Sequence, residues 1–360
     1  MARVELKSIG HSYAKGEADS FSMSGLNLTW EDGSANALLG PSGCGKTTVL
    51  NVISGLLNPN HGQIIFDGRD VTGMDARGRH IAQVFQFPVV YETMNVFGNL
   101  AFPLRNRGIA IPDVDRRVRE VAELLDLTAD LKTPSRLLTP AQKQIVSLGR
   151  GIVREDTAAV LLDEPLTVID PKLKWHLRRK LREVQRETNL TMIYVTHDQH
   201  EALTFADHVT VMHDGAVVQT GTPQELHDQP ATPFVGYFIG SPGMNLIPCR
   251  VVDGVLDCGV FQLPLPQNDQ GGAAAKTAEI TLGIRPEHIR VSRDGVAGSI
   301  AANVRTVENA GAYKILNVDA GDVSFRVRVG ETVGVSEGDS IFCAFDEQRL
   351  HMYSGGDSNG

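Results

Sequence analysis

The run Gly40-Pro41-Ser42-Gly43-Cys44-Gly45-Lys46-Thr47-Thr48 contains the spacing G-x-x-x-x-G-K-[ST]. Each part has a task in holding a polyphosphate. The glycines let the backbone curl so that successive N–H groups face phosphate oxygens. A helix starting behind the loop presents its positive N-terminal end to the same anion. Lys46 can set a point charge against the outer phosphates, and the Thr47 hydroxyl can ligate Mg²⁺. The alternative is a glycine-rich turn that matches by chance. The strand-like run before the loop and the helical run after it weigh against that.

A second chemical pair follows. Asp163-Glu164 ends the apolar run Val160-Leu161-Leu162. Two carboxylates at the carboxyl end of a buried strand lie where α/β sheets bind ligands. Asp163 could hold Mg²⁺ through its water shell, and Glu164 could orient or deprotonate an attacking water. A solvated acidic loop is the bland alternative.

These residues need a scaffold, and its pattern is readable. Val4 and Leu6 alternate with charged neighbours, which suits a half-buried strand. Ala37-Leu38-Leu39 leads into the glycine-rich loop. Residues 47–57 read as a helix with Val49, Leu50, Ile53 and Leu57 on one face. Ile64-Ile65-Phe66 enters an Asp-Gly turn, and 81–85 is a further short strand. Residues 114–127 and 172–188 have helical spacing, the second with Leu173, Leu177, Leu181 and Val184 inward. Val160–Leu162 and Met192–Val195 are apolar on both faces, as in parallel sheets. The first part is therefore α/β, a mostly parallel sheet covered by helices.

The pattern changes after Ser241-Pro242-Gly243. Helical periodicity fades, and short β-rich runs alternate with Gly, Asp and Pro turns, as in a small all-β barrel or sandwich. The expected domains are 1–240, then 241–353, with a polar glycine-rich tail at 354–360 expected to be disordered.

Hydrophobic residues make up 42% of the 360 and charged residues 21%, an ordinary globular mixture. The net charge of −9 argues against a general nucleic-acid binder. The first residues lack an apolar targeting segment, and no apolar run approaches the ~18 residues of a membrane span. A protein made and kept inside the cell is expected, acting at a membrane only by docking on other subunits. Cys44, Cys249, Cys258 and Cys343 lie far apart, without a Cys-x-x-Cys pair, which points to reduced thiols. The basic run Lys172, Lys174, Arg178, Arg179, Lys180, Arg182 and Arg186 reads as a solvated helix face.

Further motifs together resemble the ATPases of ATP-binding cassette (ABC) transporters over about residues 3 to 240. Gln86 in Val84-Phe85-Gln86 resembles their Q-loop, and 162–170 looks like their Walker B segment and D-loop. Thr196-His197-Asp198 resembles the switch-histidine motif. Ser147-Leu148-Gly149-Arg150 resembles the segment after their signature. Tyr13 stands where the family stacks an aromatic ring on adenine. The runs 221–226, 238–242 and 283–288 resemble the ATPases of carbohydrate importers, the maltose and glycerol-3-phosphate type. That group carries a C-terminal OB-like barrel with regulatory or dimerising roles.

The resemblance implies an ATP-hydrolysing import motor using ATP and Mg²⁺. Glu164, His197 and Gln86 would be its catalytic residues, with Thr47, Gln86 and Asp163 near the metal. Partners would be a second ABC ATPase, two transmembrane permease subunits and, indirectly, an extracytoplasmic solute-binding protein, with no nucleic acid. The subunit would sit at the cytoplasmic face of the inner membrane. Residues 85–107 resemble ATPases of glycerol importers, so the solute is expected to be a carbohydrate or polyol. The alternatives are a soluble ABC ATPase of translation or repair, or a regulatory subunit that scarcely hydrolyses ATP.

One segment departs from the family. The signature, usually Leu-Ser-Gly-Gly-Gln, reads Leu138-Thr139-Pro140-Ala141-Gln142. In the family this segment faces the γ-phosphate held by the other subunit, so Thr139, Ala141 and Gln142 would act in trans. Pro140 lacks an N–H, and Ala141 adds a Cβ. A heterodimer with an ATPase of ordinary signature is expected; the rival is a homodimer.

Overall fold

The structure is a computed structural model and describes residues 2–13, 22–265, 279–296 and 298–354. The chain forms two compact units, 1–224 and 225–360.

The first unit is built on a six-stranded sheet in the order Ala216–Gly221, His208–His213, Ala35–Leu39, Met192–Thr196, Val160–Asp163, Ala82–Val84. All neighbouring pairs are parallel except the first, a hairpin. Its turn residues Asp214 and Gly215 both have positive φ, 45° and 77°, as a two-residue type I′ turn requires. Ala35–Leu39 and Met192–Thr196 are buried at every position, as runs apolar on both faces demand. A four-stranded antiparallel sheet, in the order Ser22–Trp30, Val4–Ser12, His61–Phe66, Arg69–Asp70, packs on the same core.

Between them lies the helix Lys46–Ser54, buried at seven of its nine positions. It is shorter than the expected 47–57 because Gly55 takes the left-handed conformation, φ 81°, that ends helices. The helix expected at 114–127 runs Ile111–Leu124, starting at a proline in its first turn. In the helix Pro171–Thr188, Leu177, Leu181 and Val184 are buried as expected, but Leu173 is half-exposed. It sits in the first turn, before the helix reaches the core.

The second unit holds two five-stranded antiparallel sheets. One is ordered Gln262–Pro264, Val255–Asp257, Asn245–Val252, Glu279–Ile284, His351–Ser354; the other Ile289–Ser292, Ser340–Phe345, Ile300–Asn309, Tyr313–Ala320, Val323–Gly330. Inward residues of both, Leu256, Leu282, Leu316, Val318, Val327 and Ile341 among them, make one apolar core. This is the all-β architecture the short alternating runs imply.

Two expectations change here. The division falls at Gln224/Glu225 rather than near 240, because residues 225–240 pack on the β unit. Arg285, 2% exposed, donates to the carbonyls of His227 and Ile239, and the Tyr353 hydroxyl donates to Pro230 O. Second, Cys249 and Cys258 are joined by a disulfide. The hairpin turning at Asp253-Gly254 pairs Arg250 with Asp257, so the two cysteines fall on the next cross-strand rung. Cys44 and Cys343 are free thiols, as expected. The expected tail lies outside the described residues beyond Ser354. Among the described residues, no helix is long and apolar enough to cross a membrane.

Candidate active site

The phosphate loop joins the carboxyl end of the central strand Ala35–Leu39 to the buried helix Lys46–Ser54. Its curl needs glycine at specific points. Gly43 and Gly45 have φ of 86° and 101°. A Cβ on Gly40 would stand 2.3 Å from the Met212 carbonyl oxygen. Lys46 is buried, its Nζ donating to Gly40 O and Pro41 O, each at 2.8 Å. The loop is thus closed around its own cation. Cys44 turns its side chain into the core, with Sγ 3.8 Å from Lys46 Nζ, leaving only its backbone for a ligand. Burial pushes its thiol up, Lys46 opposing.

Two strands along, Val160–Asp163 delivers the carboxylates. The Thr47 hydroxyl donates to Asp163 Oδ1 at 3.4 Å. Burial raises the Asp163 carboxyl above the usual range and Glu164 adds to it; the Thr47 hydrogen bond and Lys46 oppose. Glu164 has φ 44°, a left-handed conformation uncommon for a residue with a Cβ. Its N–H bonds Val195 O on the neighbouring strand. Its carboxylate meets His197 Nδ1 at 3.0 Å and accepts from the Thr167 hydroxyl at 3.1 Å. Held strain of this kind clusters at functional sites.

Tyr13, Ser42, Gly43, Gly45, Lys46, Thr47, Thr48 and Glu164 line one open recess of about 250 Å³. Tyr13 is exposed, its hydroxyl 3.1 Å from Thr48 Oγ1 and its ring edge-on to His11. The structure therefore brings the loop, the acid pair, His197 and Tyr13 together. Gln86 is half-buried in the loop after Ala82–Val84 and is not among the residues lining the recess.

Thr139, Ala141 and Gln142 are likewise outside the recess. Thr139 caps the helix Pro140–Ile152 with a reciprocal capping box: Gln142 N–H donates to Thr139 Oγ1 at 3.3 Å, and Thr139 N–H donates to Gln142 Oε1 at 3.0 Å. The Gln142 amide nitrogen donates to Asp130. Pro140 sits at the first helical position, where its missing N–H costs the helix nothing.

Two supporting residues escaped the sequence reading. Arg79, 1% exposed, donates to Val52 O and Ile53 O, closing the carboxyl end of the phosphate-loop helix with a cation. Nothing in its polar neighbourhood marks it. Glu201, 4% exposed, shares the buried face of the helix Gln199–Phe205 with Ala202 and Phe205. Its four-residue spacing from Phe205 was the available signal. Three of the seven residues in the basic run are paired, Lys174, Lys180 and Arg182 bridging to Glu201, Asp126 and Asp207.

Comparison with known proteins bears on this geometry. The ABC transporter family matches residues 23–167, the MalK OB fold domain 240–289, and the TOBE domain 282–352. The trehalose/maltose import ATP-binding protein MalK of Thermococcus litoralis is 40% identical, covering 91% of this chain and 92% of its own. The sn-glycerol-3-phosphate import ATP-binding protein UgpC of Salmonella typhi is 39% identical over 92% of both chains. UgpC 1 of Rhizobium johnstonii is 35% identical over 98% and 95%. The solved cbiO1 of Clostridium perfringens, part of the ABC transporter complex cbiONQ, aligns with TM-score 0.57 at 26% identity, covering 62% of this chain and 89% of its own. These relatives are import subunits, which disfavours a soluble translation or repair ATPase. The chain therefore belongs to the ABC transporter family, as an ATP-binding, ATP-hydrolysing subunit of the import type with an OB-fold and TOBE unit following its nucleotide-binding unit.

Proposed function

We propose that this chain drives uptake of a carbohydrate or polyol, with glycerol the first solute to test, by hydrolysing ATP in the recess at Gly40–Thr48. The observation that carries the reading is convergence. A closed phosphate loop, the Thr47–Asp163 contact and the Glu164–His197 pair meet at the carboxyl edge of one sheet. Lys46 neutralises the outer phosphates, and Tyr13 stacks on the base. Glu164 holds the attacking water and takes its proton, and His197 orients Glu164.

Thr47 and Asp163 offer the hard oxygen donors that Mg²⁺ prefers, so the residues fit that ion. They would hold it, with Gln86 as the further oxygen donor that the resemblance implies. When bound, the ion neutralises charge on the phosphates.

The subunit works at the cytoplasmic face of the membrane, on two permease subunits, served by a solute-binding protein outside. Thr139, Ala141 and Gln142 complete the ATP site of a second ATPase chain. Pro140 and Ala141 in place of two glycines favour a heterodimer. The intact capping box favours the second reading, a homodimer, because it shows the signature helix starting normally. Intact masses of the ATPase chains in the purified transporter separate the two.

Lys46→Ala tests the site. Mg-ATP at a hundredfold excess over its dissociation constant stabilises the wild type by about 2.7 kcal/mol. The variant is expected to show no shift in a thermal series and no turnover. Equal shifts in both proteins would contradict the reading.

A further inference from the structure

The carboxylate of Glu201 is buried, yet it touches no atom of the recess. A buried carboxylate is costly unless donors surround it, and here three do. Oε2 accepts from the Tyr194 and Thr196 hydroxyls, each at 3.0 Å, and Oε1 meets Lys174 Nζ at 3.3 Å. Burial and Glu201 itself raise the Tyr194 phenol well above its ordinary value, so it stays a donor.

The three donors come from two places that matter. Tyr194 and Thr196 lie on the strand Met192–Thr196 that delivers His197, and Lys174 lies in the helix Pro171–Thr188 that follows the acid pair. Thr196 Oγ1 also accepts from Asp198 N–H at 3.0 Å. Its single proton goes to Glu201 and its lone pair to Asp198, so the hydroxyl clamps both sides of His197. Asp198 in turn caps the helix carrying Glu201, accepting from His200 and Glu201 N–H. The turn bearing His197 is thereby closed by a ring of hydrogen bonds centred on Glu201.

We propose that Glu201 is a positioning residue of the hydrolytic pair: through Thr196 it fixes the turn that aims His197 at Glu164, and through Lys174 it ties that turn to the helix after the acid pair. The proposal rests on the reading of Glu164 and His197 given above. A loose turn lets the imidazole swing away from Glu164. Nucleotide binding does not depend on that contact, whereas turnover does. Glu201 acts only through His197, so its loss costs nothing once His197 is gone.

The test uses the assembled transporter well below its melting temperature. Glu201→Gln and Thr196→Val are each made alone and with His197→Ala, and kcat, KM for ATP and the Mg-ATP thermal shift are measured. Thr196→Val is nearly isosteric, so it serves if the buried Glu201→Gln fails to fold. The expected result is a fall in kcat of about tenfold for Thr196→Val and Glu201→Gln, with KM and thermal shift unchanged. Neither should lower kcat further in the His197→Ala background. Unchanged kcat in the folded single variants, or losses that multiply with His197→Ala, would overturn the positioning role alone. Full turnover in His197→Ala would overturn the reading of the pair beneath it, and the positioning role with it.

Discussion

Among the described residues two histidine–glutamate pairs occur, and they differ in what surrounds them. His197 meets Glu164 at 3.0 Å on the edge of the phosphate recess, the ring half-exposed. His227 meets Glu287 at 3.3 Å and Asp228 at 2.9 Å within the second unit, beside the buried Arg285. The first pair sits on a strained backbone, Glu164 at φ 44°, and keeps an open side toward Lys46 and Thr47. In the second, both ring nitrogens of His227 meet carboxylates, Asp228 and Glu287. Residue types alone do not separate catalysis from structure. Strain, exposure and an open polar face do.

That contrast predicts opposite consequences of substitution. Arg285→Ala leaves the buried carbonyls of His227 and Ile239 without their donor. We expect a loss of about 3 kcal/mol in the unfolding of the second unit, read by calorimetry, with the Mg-ATP stabilisation of the first unit intact. A lost ATP shift with an unchanged second transition would break the comparison.

A smaller effect concerns pH. The hydrogen bond that the His227 ring donates to Glu287 raises the His227 pKa, helped by Asp228 and opposed by burial. A histidine with a raised folded pKa contributes stability that is full below the unfolded value of about 6.5 and disappears as pH rises through the folded value. Glu287, held below its usual range on balance, contributes stability that is lost only in acid, as pH falls through its folded value, so its contribution is constant across this window. Melting temperature should therefore fall as pH rises above about 6.5, and His227→Gln should flatten that segment. With about a third of the ring exposed, the effect is below about 1 kcal/mol. A slope that survives the substitution would assign it to another group.

What the sequence revealed follows from how local each determinant is. The phosphate loop, the acid pair and the Asp67-Gly68 and Asp214-Gly215 turns are contiguous, and both turns have positive φ at both residues. The β character of the second unit was equally local, written in alternation along each strand. The helix Val96–Arg105 was missed because Pro103 lies inside it, although Asn95 caps it through Gly98 N–H. Arg79, Glu201 and the boundary at 224 depend on contacts far apart in sequence, which no periodicity announces. The Cys249–Cys258 bond is an intermediate case: reading the register outward from Asp253-Gly254 reaches it. Gln86 and the signature residues are not among the residues lining the recess, so the geometry of one chain assigns them no role in it.

The central claim is that Glu164, held by His197 beside the phosphate loop, activates the water that cleaves ATP. The most direct measurement is steady-state turnover of the transporter carrying Glu164→Gln, alongside nucleotide binding. The substitution keeps the shape of the side chain and removes the base. Turnover should fall by roughly 100-fold or more while Mg-ATP still stabilises the protein as in the wild type. Undiminished hydrolysis in that variant would contradict the account.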